Sequence, residues 1–156
     1  MPVIVVANPK GGVGKSTLST NLAGWLARQG HAVMLGDADR QQSARTWLGL
    51  RPAGLPLIAG WEVQPDHLAK PPKGTTHVVL DTPAGLHGKK LDEVMKIADK
   101  VLVPLQPSIF DIYATRAFVT ELLARLGTKP IAPMSIERIT SLVRSLADTT
   151  TTGRAG

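Results

Sequence analysis

The sequence predicts a three-layer α/β/α sandwich built on a mostly parallel sheet. Short apolar, β-branched runs alternate with segments of helical periodicity along most of the chain. The runs are apolar throughout rather than alternating, so both faces of their sheet are covered. The connections between them carry helices, and a helix that links two parallel strands has to lie on a sheet face.

Val3-Ile4-Val5-Val6-Ala7 reads as a buried first strand ending at a turn. Leu18, Leu22, Trp25 and Leu26 recur at helical spacing, which predicts a helix over 16–29 with Gly30 as its stop signal. Ala32-Val33-Met34-Leu35 is a second buried strand closing at Asp37. Residues 49–75 carry nine Gly and Pro residues and read as loop, with at most a short strand near Leu57-Ile58. His77-Val78-Val79-Leu80-Asp81 is a third buried strand. Leu91, Val94, Met95 and Ala98 mark a helix, and Lys100-Val101-Leu102-Val103 a fourth strand. Ser108 and Asp111 have capping-box spacing, with Asp in place of Glu or Gln, and open a helix through Phe118, Leu122 and Leu126. Ile136, Ile139, Val143 and Leu146 suggest one more amphipathic helix. The expected organisation is a single domain over 1–148 and a disordered tail over 149–156.

A chain of 156 residues can bury a core, and its 43% hydrophobic and 19% charged residues are an ordinary globular balance. There is no cysteine, which removes disulfides, thiolate metal sites and thiol nucleophiles and fits a reducing compartment. No signal peptide is expected, because no charged n-region and long apolar core stand ahead of the first strand. No apolar run approaches the ~20 residues of a membrane span. The formal net charge of +6 favours a polyanionic partner, although the basic residues form no block. The four histidines, His31, His67, His77 and His87, show no metal-ligand spacing.

The chemistry concentrates at Lys10-Gly11-Gly12-Val13-Gly14-Lys15-Ser16-Thr17, between the first strand and the first helix. A strand that turns into a helix through glycines can aim several backbone N–H groups at one phosphate, and the helix N-terminus adds partial positive charge. Gly11, Gly12 and Gly14 allow that approach without a Cβ. Lys15 is placed to reach the β- and γ-phosphates, and the Ser16 hydroxyl to ligate magnesium. The loop therefore predicts a site for ATP with Mg²⁺. Pro9 stands where the usual phosphate-loop pattern has its first glycine, and a second lysine, Lys10, opens the loop as a candidate phosphate ligand. Asp37 and Asp39 follow the second strand, and Asp81 ends the third as a Walker-B candidate. In a parallel sheet these strand ends open onto the same edge as the loop. Asp81-Thr82-Pro83-Ala84-Gly85 is then a loop able to respond to a γ-phosphate.

Four segments in order resemble the ParA/MinD family of deviant Walker-A ATPases: Asn8–Thr17, Asp37–Ala44, Val78–Gly85, and Val103–Ser108 with Asp111. They span about residues 1–123. The resemblance implies a P-loop NTPase fold, slow Mg-dependent ATP hydrolysis accelerated by a ParB-like partner protein, and a homodimer closed face to face by ATP. It implies that Lys10 reaches across to the partner subunit's phosphates and that Asp39 positions magnesium and the attacking water. Asp81 would hold the metal's water shell. The switch residues would be Asp37, Asp39, Asp81, Thr82, Pro83, Ala84 and Gly85. The ParA branch implies plasmid or chromosome partition, or the positioning of other large cargo, on nonspecific DNA in the cytoplasm and nucleoid. The MinD branch implies a membrane surface, for which Met134–Ala147 offers a helix with Arg138 and Arg144 on its polar side. The net charge favours DNA. A nonhydrolysing nucleotide-binding interaction module is the reading from another class. Arg40 stands where the family has proline, and beyond Leu126 the sequence does not follow the family's further strand, adenine-contacting segment and helices.

Overall fold

The computed structural model describes residues 1–64, 67–68 and 71–126. The helix expected through 136–146, the tail over 149–156 and the domain boundary at 148 lie outside the described residues. The elements run β1 (Val3–Val6), α1 (Lys15–Arg28), β2 (Val33–Asp37), α2 (Ser43–Gly49), β3 (Ile58–Trp61), β4 (Val63–Gln64), β5 (His67–Leu68), β6 (His77–Asp81), α3 (Gly88–Ile97), β7 (Lys100–Leu102) and α4 (Ile109–Leu126).

Five strands form one sheet in the order β3-β2-β6-β1-β7, and every pairing is parallel. Successive residues point to opposite sheet faces. Val5 and Leu80 therefore join one core with Leu91, Val94 and Met95 of α3 and Phe118 and Leu122 of α4. Val6, Leu35 and Val79 join the other core with Ala23, Leu26 and Ala27 of α1 and Ala44 of α2. These two cores separate three layers, as the continuous apolar strands predicted.

Two elements go beyond the sequence reading. The short helix α2 follows β2 directly, and β3 extends the sheet inside the Gly/Pro-rich stretch as far as Trp61. A separate two-stranded antiparallel ladder pairs β4 with β5.

Gly36 in β2 is required by packing. A Cβ there would lie 2.7 Å from the Trp61 ring, 2.8 Å from Val63 Cγ2 and 3.1 Å from Leu80 Cδ1. Trp61 and Leu80 are buried and have little room to yield. Gly36→Ala is expected to cost about 1–3 kcal/mol, the usual range for overpacking a core. Urea unfolding checks this, as a lower midpoint with an unchanged slope.

Register sets up the site. Asp37 pairs with Asp81, and Val6 pairs with Asp81 on the other side. The ends of the three central strands β2, β6 and β1 are thus level, and their following loops meet at one edge.

Candidate functional site: a phosphate-loop cleft

The loop from β1 to α1 is shaped by glycine conformation at two positions. Gly12 and Gly14 have φ of 74° and 88°, a region that side-chain-bearing residues rarely enter. At Gly11 a Cβ would only touch Ala84 at 4.0 Å, so space and φ leave that position permissive. Gly14 is the N-cap of α1 and supplies no side-chain cap to the helix's first amides. Those N–H groups and the positive end of the helix face the cleft.

Neighbouring elements hold the loop. Asn8 is fully buried. Its Oδ1 accepts from the Lys10 N–H at 2.9 Å, and its Nδ2 donates to the Pro104 carbonyl at 2.8 Å and to Thr115 Oγ1 at 3.1 Å. The segment after β6 is stitched to the same loop. Thr82 donates to the Val6 carbonyl at 2.8 Å, and the Gly85 N–H to the Pro9 carbonyl at 2.8 Å. Gln106 Nε2 reaches the Gly12 carbonyl at 3.1 Å.

A cavity of about 1050 Å³ opens at this edge. Its walls include Gly11, Gly12, Gly14, Lys15, Ser16 and Thr17 from the loop and α1, Asp39 after β2, and Pro83, Ala84 and Gly85 after β6. The structure thus brings most of the sequence-predicted site residues around one space. Lys15 is buried, and its ammonium donates to the Lys10 carbonyl at 2.8 Å across the loop. Burial lowers its proton affinity below the usual lysine value, and Asp81 and Asp39 partly restore it. Asp81 is fully buried at the end of β6. Its Oδ1 accepts from Ser19 at 3.1 Å, while among the described residues Oδ2 has no well-formed hydrogen bond. Burial pushes its carboxyl above the usual range, and the Ser16 and Ser19 hydroxyls oppose that rise.

Ser16 and Asp81 suit a magnesium ion. A hydroxyl and a carboxylate with a spare buried oxygen are hard oxygen donors, and magnesium typically takes one or two carboxylates, water and substrate phosphates. Among the described residues no group of three His, Cys, Asp or Glu could form a metal cage by itself.

Asp37 has other work. Its carboxylate accepts from the Asp39 N–H at 3.0 Å, the Ala44 N–H at 2.8 Å and the Arg45 N–H at 3.2 Å. It caps α2 from a distance and fixes the loop that carries Asp39. Lys10 does not line the cavity; its ammonium pairs with the buried Asp111 carboxylate of α4. The expected capping box is present in modified form. Ser108 Oγ accepts from the Asp111 N–H at 3.2 Å and donates to its Oδ2 at 2.8 Å. Asn8 and Thr115 are the positioning residues that sequence reading missed, because their contact joins segments 107 positions apart.

A level edge of parallel strands, a glycine loop feeding a helix and a lysine beside a strand-end aspartate define a P-loop nucleotide-binding domain. The family model for the CobQ/CobB/MinD/ParA nucleotide binding domain matches residues 4–153. The chain belongs to that family, in line with the resemblance read from its motifs. Over 112 residues it is 38% identical to the maintenance of carboxysome distribution protein A of Gloeobacter kilaueensis, covering 70% of this chain and 51% of that protein. The crystal structure of a plasmid partition protein from Borrelia burgdorferi superimposes with a TM-score of 0.67 at 18% identity, covering 92% of this chain and 84% of that one. The structure of pNOB8 ParA bound to nonspecific DNA gives a TM-score of 0.60 at 18% identity, covering 78% and 59%. The chain spans 51–61% of the length of the first curated relatives it matches. Among the described residues no helix is long and apolar enough to cross a membrane.

Proposed function

We propose that this chain is a ParA-type, Mg-dependent ATPase whose nucleotide state switches a homodimer on nonspecific DNA. Its work would be the partition of a plasmid or chromosome, or the positioning of another large body. One observation carries the nucleotide reading. The site holds a buried lysine and a buried aspartate, and burial disfavours the charged form of each. Their mutual attraction leaves both shifts standing. A magnesium polyphosphate relieves both, with anionic oxygens beside Lys15 and a cation beside Asp81. Perturbed pairs in a cleft are where such chemistry is sought.

Lys15, the Gly11–Gly14 backbone, Ser16 and Thr17 hold the phosphates, with Val13 as part of the same loop. Ser16 and Asp81 serve the metal, and Asp39 orients the attacking water. Lys10, here paired with Asp111, would reach across to the partner subunit's phosphates in the ATP-bound dimer. The hydrogen bonds from Thr82 and Gly85 to the β1 end and the phosphate loop give the segment 81–85 a mechanical link to whatever the loop holds. That link supports a switch role for it. Asp37 supports the switch by anchoring the Asp39 loop. The positive net charge and the likeness to a ParA seen on nonspecific DNA favour DNA over a membrane surface. A ParB-like partner and a cytoplasmic, nucleoid-associated location belong to the same reading.

Two assays on one preparation test it. ATP turnover should be slow and lost in Lys15→Ala, and a gel shift with arbitrary DNA should need ATP and weaken with salt. Turnover without any DNA shift, together with pelleting on anionic liposomes, would move the reading to the membrane branch. No turnover would leave a nucleotide-binding interaction module.

A further inference from the structure

Among the described residues, Gln42 is the only one other than glycine with a positive φ. Its φ of 53° and ψ of 36° lie in the left-handed region, where a Cβ crowds the following carbonyl. Such a conformation persists where surrounding contacts over-determine it. Here they come from two sides. The Gln42 carbonyl accepts from the Thr46 N–H and from Thr46 Oγ1, each at 2.9 Å, which ties it to the first turn of α2. The side-chain amide turns back onto the loop after β2. Nε2 donates to the Asp37 carbonyl at 3.0 Å and to the Asp39 carbonyl at 2.7 Å, using both of its hydrogens. The Gln42 N–H donates to the same Asp39 carbonyl at 3.1 Å.

These bonds draw residues 37–42 into a closed ring. Asp39 lies on the ring and lines the nucleotide cavity, whereas Gln42 is not among the cavity walls. We propose that Gln42 is a positioning residue whose side-chain amide latches this loop and holds Asp39 at the cavity wall. The proposal rests on the role given to Asp39 above and names what keeps it in place. Without the latch, the Asp39 backbone keeps the turn bond from the Gln42 N–H and its own N–H bond to Asp37 Oδ1. Those two bonds would then stand alone against the strain at Gln42, and the loop would open more often.

Gln42→Met tests this in the full chain, because it keeps the length of the side chain and the backbone strain while removing both donors. Arg40 and Gln41 are exposed on the ring, so trypsin cleavage after Arg40 reads its opening. That cleavage is expected to rise about tenfold, as for two lost hydrogen bonds. Cleavage after Arg116 within α4 reads global unfolding and should stay as in the wild type. In ATP turnover, kcat should fall about tenfold, as for loss of a supporting contact, with KM within about twofold because the phosphate loop is untouched. Wild-type cleavage after Arg40 in the folded variant overturns the proposal. So does a rise matched after Arg116, and so does an opened loop with kcat unchanged. Should Gln42→Met fail to fold, Gln42→Gly, which accepts the same φ without strain, carries both readouts with the same expected directions. The two readings fail separately. Wild-type turnover that the variant leaves intact removes the latch alone. A wild type that binds Mg-ATP without turnover removes the hydrolytic reading, and the latch then stands or falls on cleavage after Arg40.

Discussion

Lys15→Ala removes Mg-ATP binding while leaving the chain as stable as before, or more so, at neutral pH. Truncating one side of a buried charged contact costs about 2–5 kcal/mol, which is about thirtyfold in affinity at the low end. The stability half follows from linkage. Burial holds the Lys15 ammonium below its ordinary 10.5, so folding disfavours the charged form. The native chain then carries fewer protons than the unfolded one between the two values, and stability rises with pH across that window. At neutral pH the wild type bears the full penalty, and the alanine variant does not. Its loss is the aliphatic stem packed in the loop. Calorimetry and thermal melts on the same sample separate the two effects. Binding within about threefold of wild type would contradict the role given to Lys15.

Asp81→Asn is the second large effect, and it has the opposite charge logic. Burial raises this carboxyl above its ordinary 3.8, so the folded chain keeps the proton longer than the unfolded one. Stability therefore falls as pH climbs from 3.8 through the raised value, and stays lower above it. Asparagine keeps an oxygen for Ser19 and carries no charge. The variant should melt above the wild type at pH 7, and the difference should vanish below 3.8, where both states of the wild type are protonated. Magnesium affinity in the presence of nucleotide should fall about 10–100-fold, as for loss of a residue supporting a metal's water shell. A lower melting point at pH 7 would show that the carboxylate is stabilised in place, against this account. A chain that is more stable without its site charges is the expected trade between fold and function.

The sheet and the loop were legible because their signals are local. Val3–Val6, Val33–Asp37 and His77–Asp81 are continuous apolar runs, and buried parallel strands require just that. The glycines of the loop answer a local conformational demand at Gly12 and Gly14. The helix α2 was not legible for a physical reason. Its start is Gln42 in a left-handed conformation with no side-chain cap of its own, and the cap comes from Asp37 upstream. Asp37 accordingly read as a strand-end carboxylate of the site, when its oxygens are spent on three backbone amides. The strand β3 was legible only as a short strand near Leu57-Ile58; its extension to Trp61 lies at a sheet edge inside a Gly/Pro-rich stretch, where composition argues for loop.

Lys10 and Asp111 show the same division. Sequence spacing gave Asp111 its capping role, which the Ser108 contacts bear out. Nothing local could give its second role, because the ion pair to Lys10 exists only once α4 packs beside the phosphate loop. Asn8 fixes that neighbourhood by bonding the loop to both Pro104 and Thr115.

Calorimetric titration of the wild-type chain with ATP, in magnesium and then in excess chelator, reads the nucleotide site itself. The chain is expected to take up one nucleotide saturably, with an affinity that weakens sharply without magnesium. A chain that is folded by circular dichroism yet gives no heat with ATP in magnesium would contradict it.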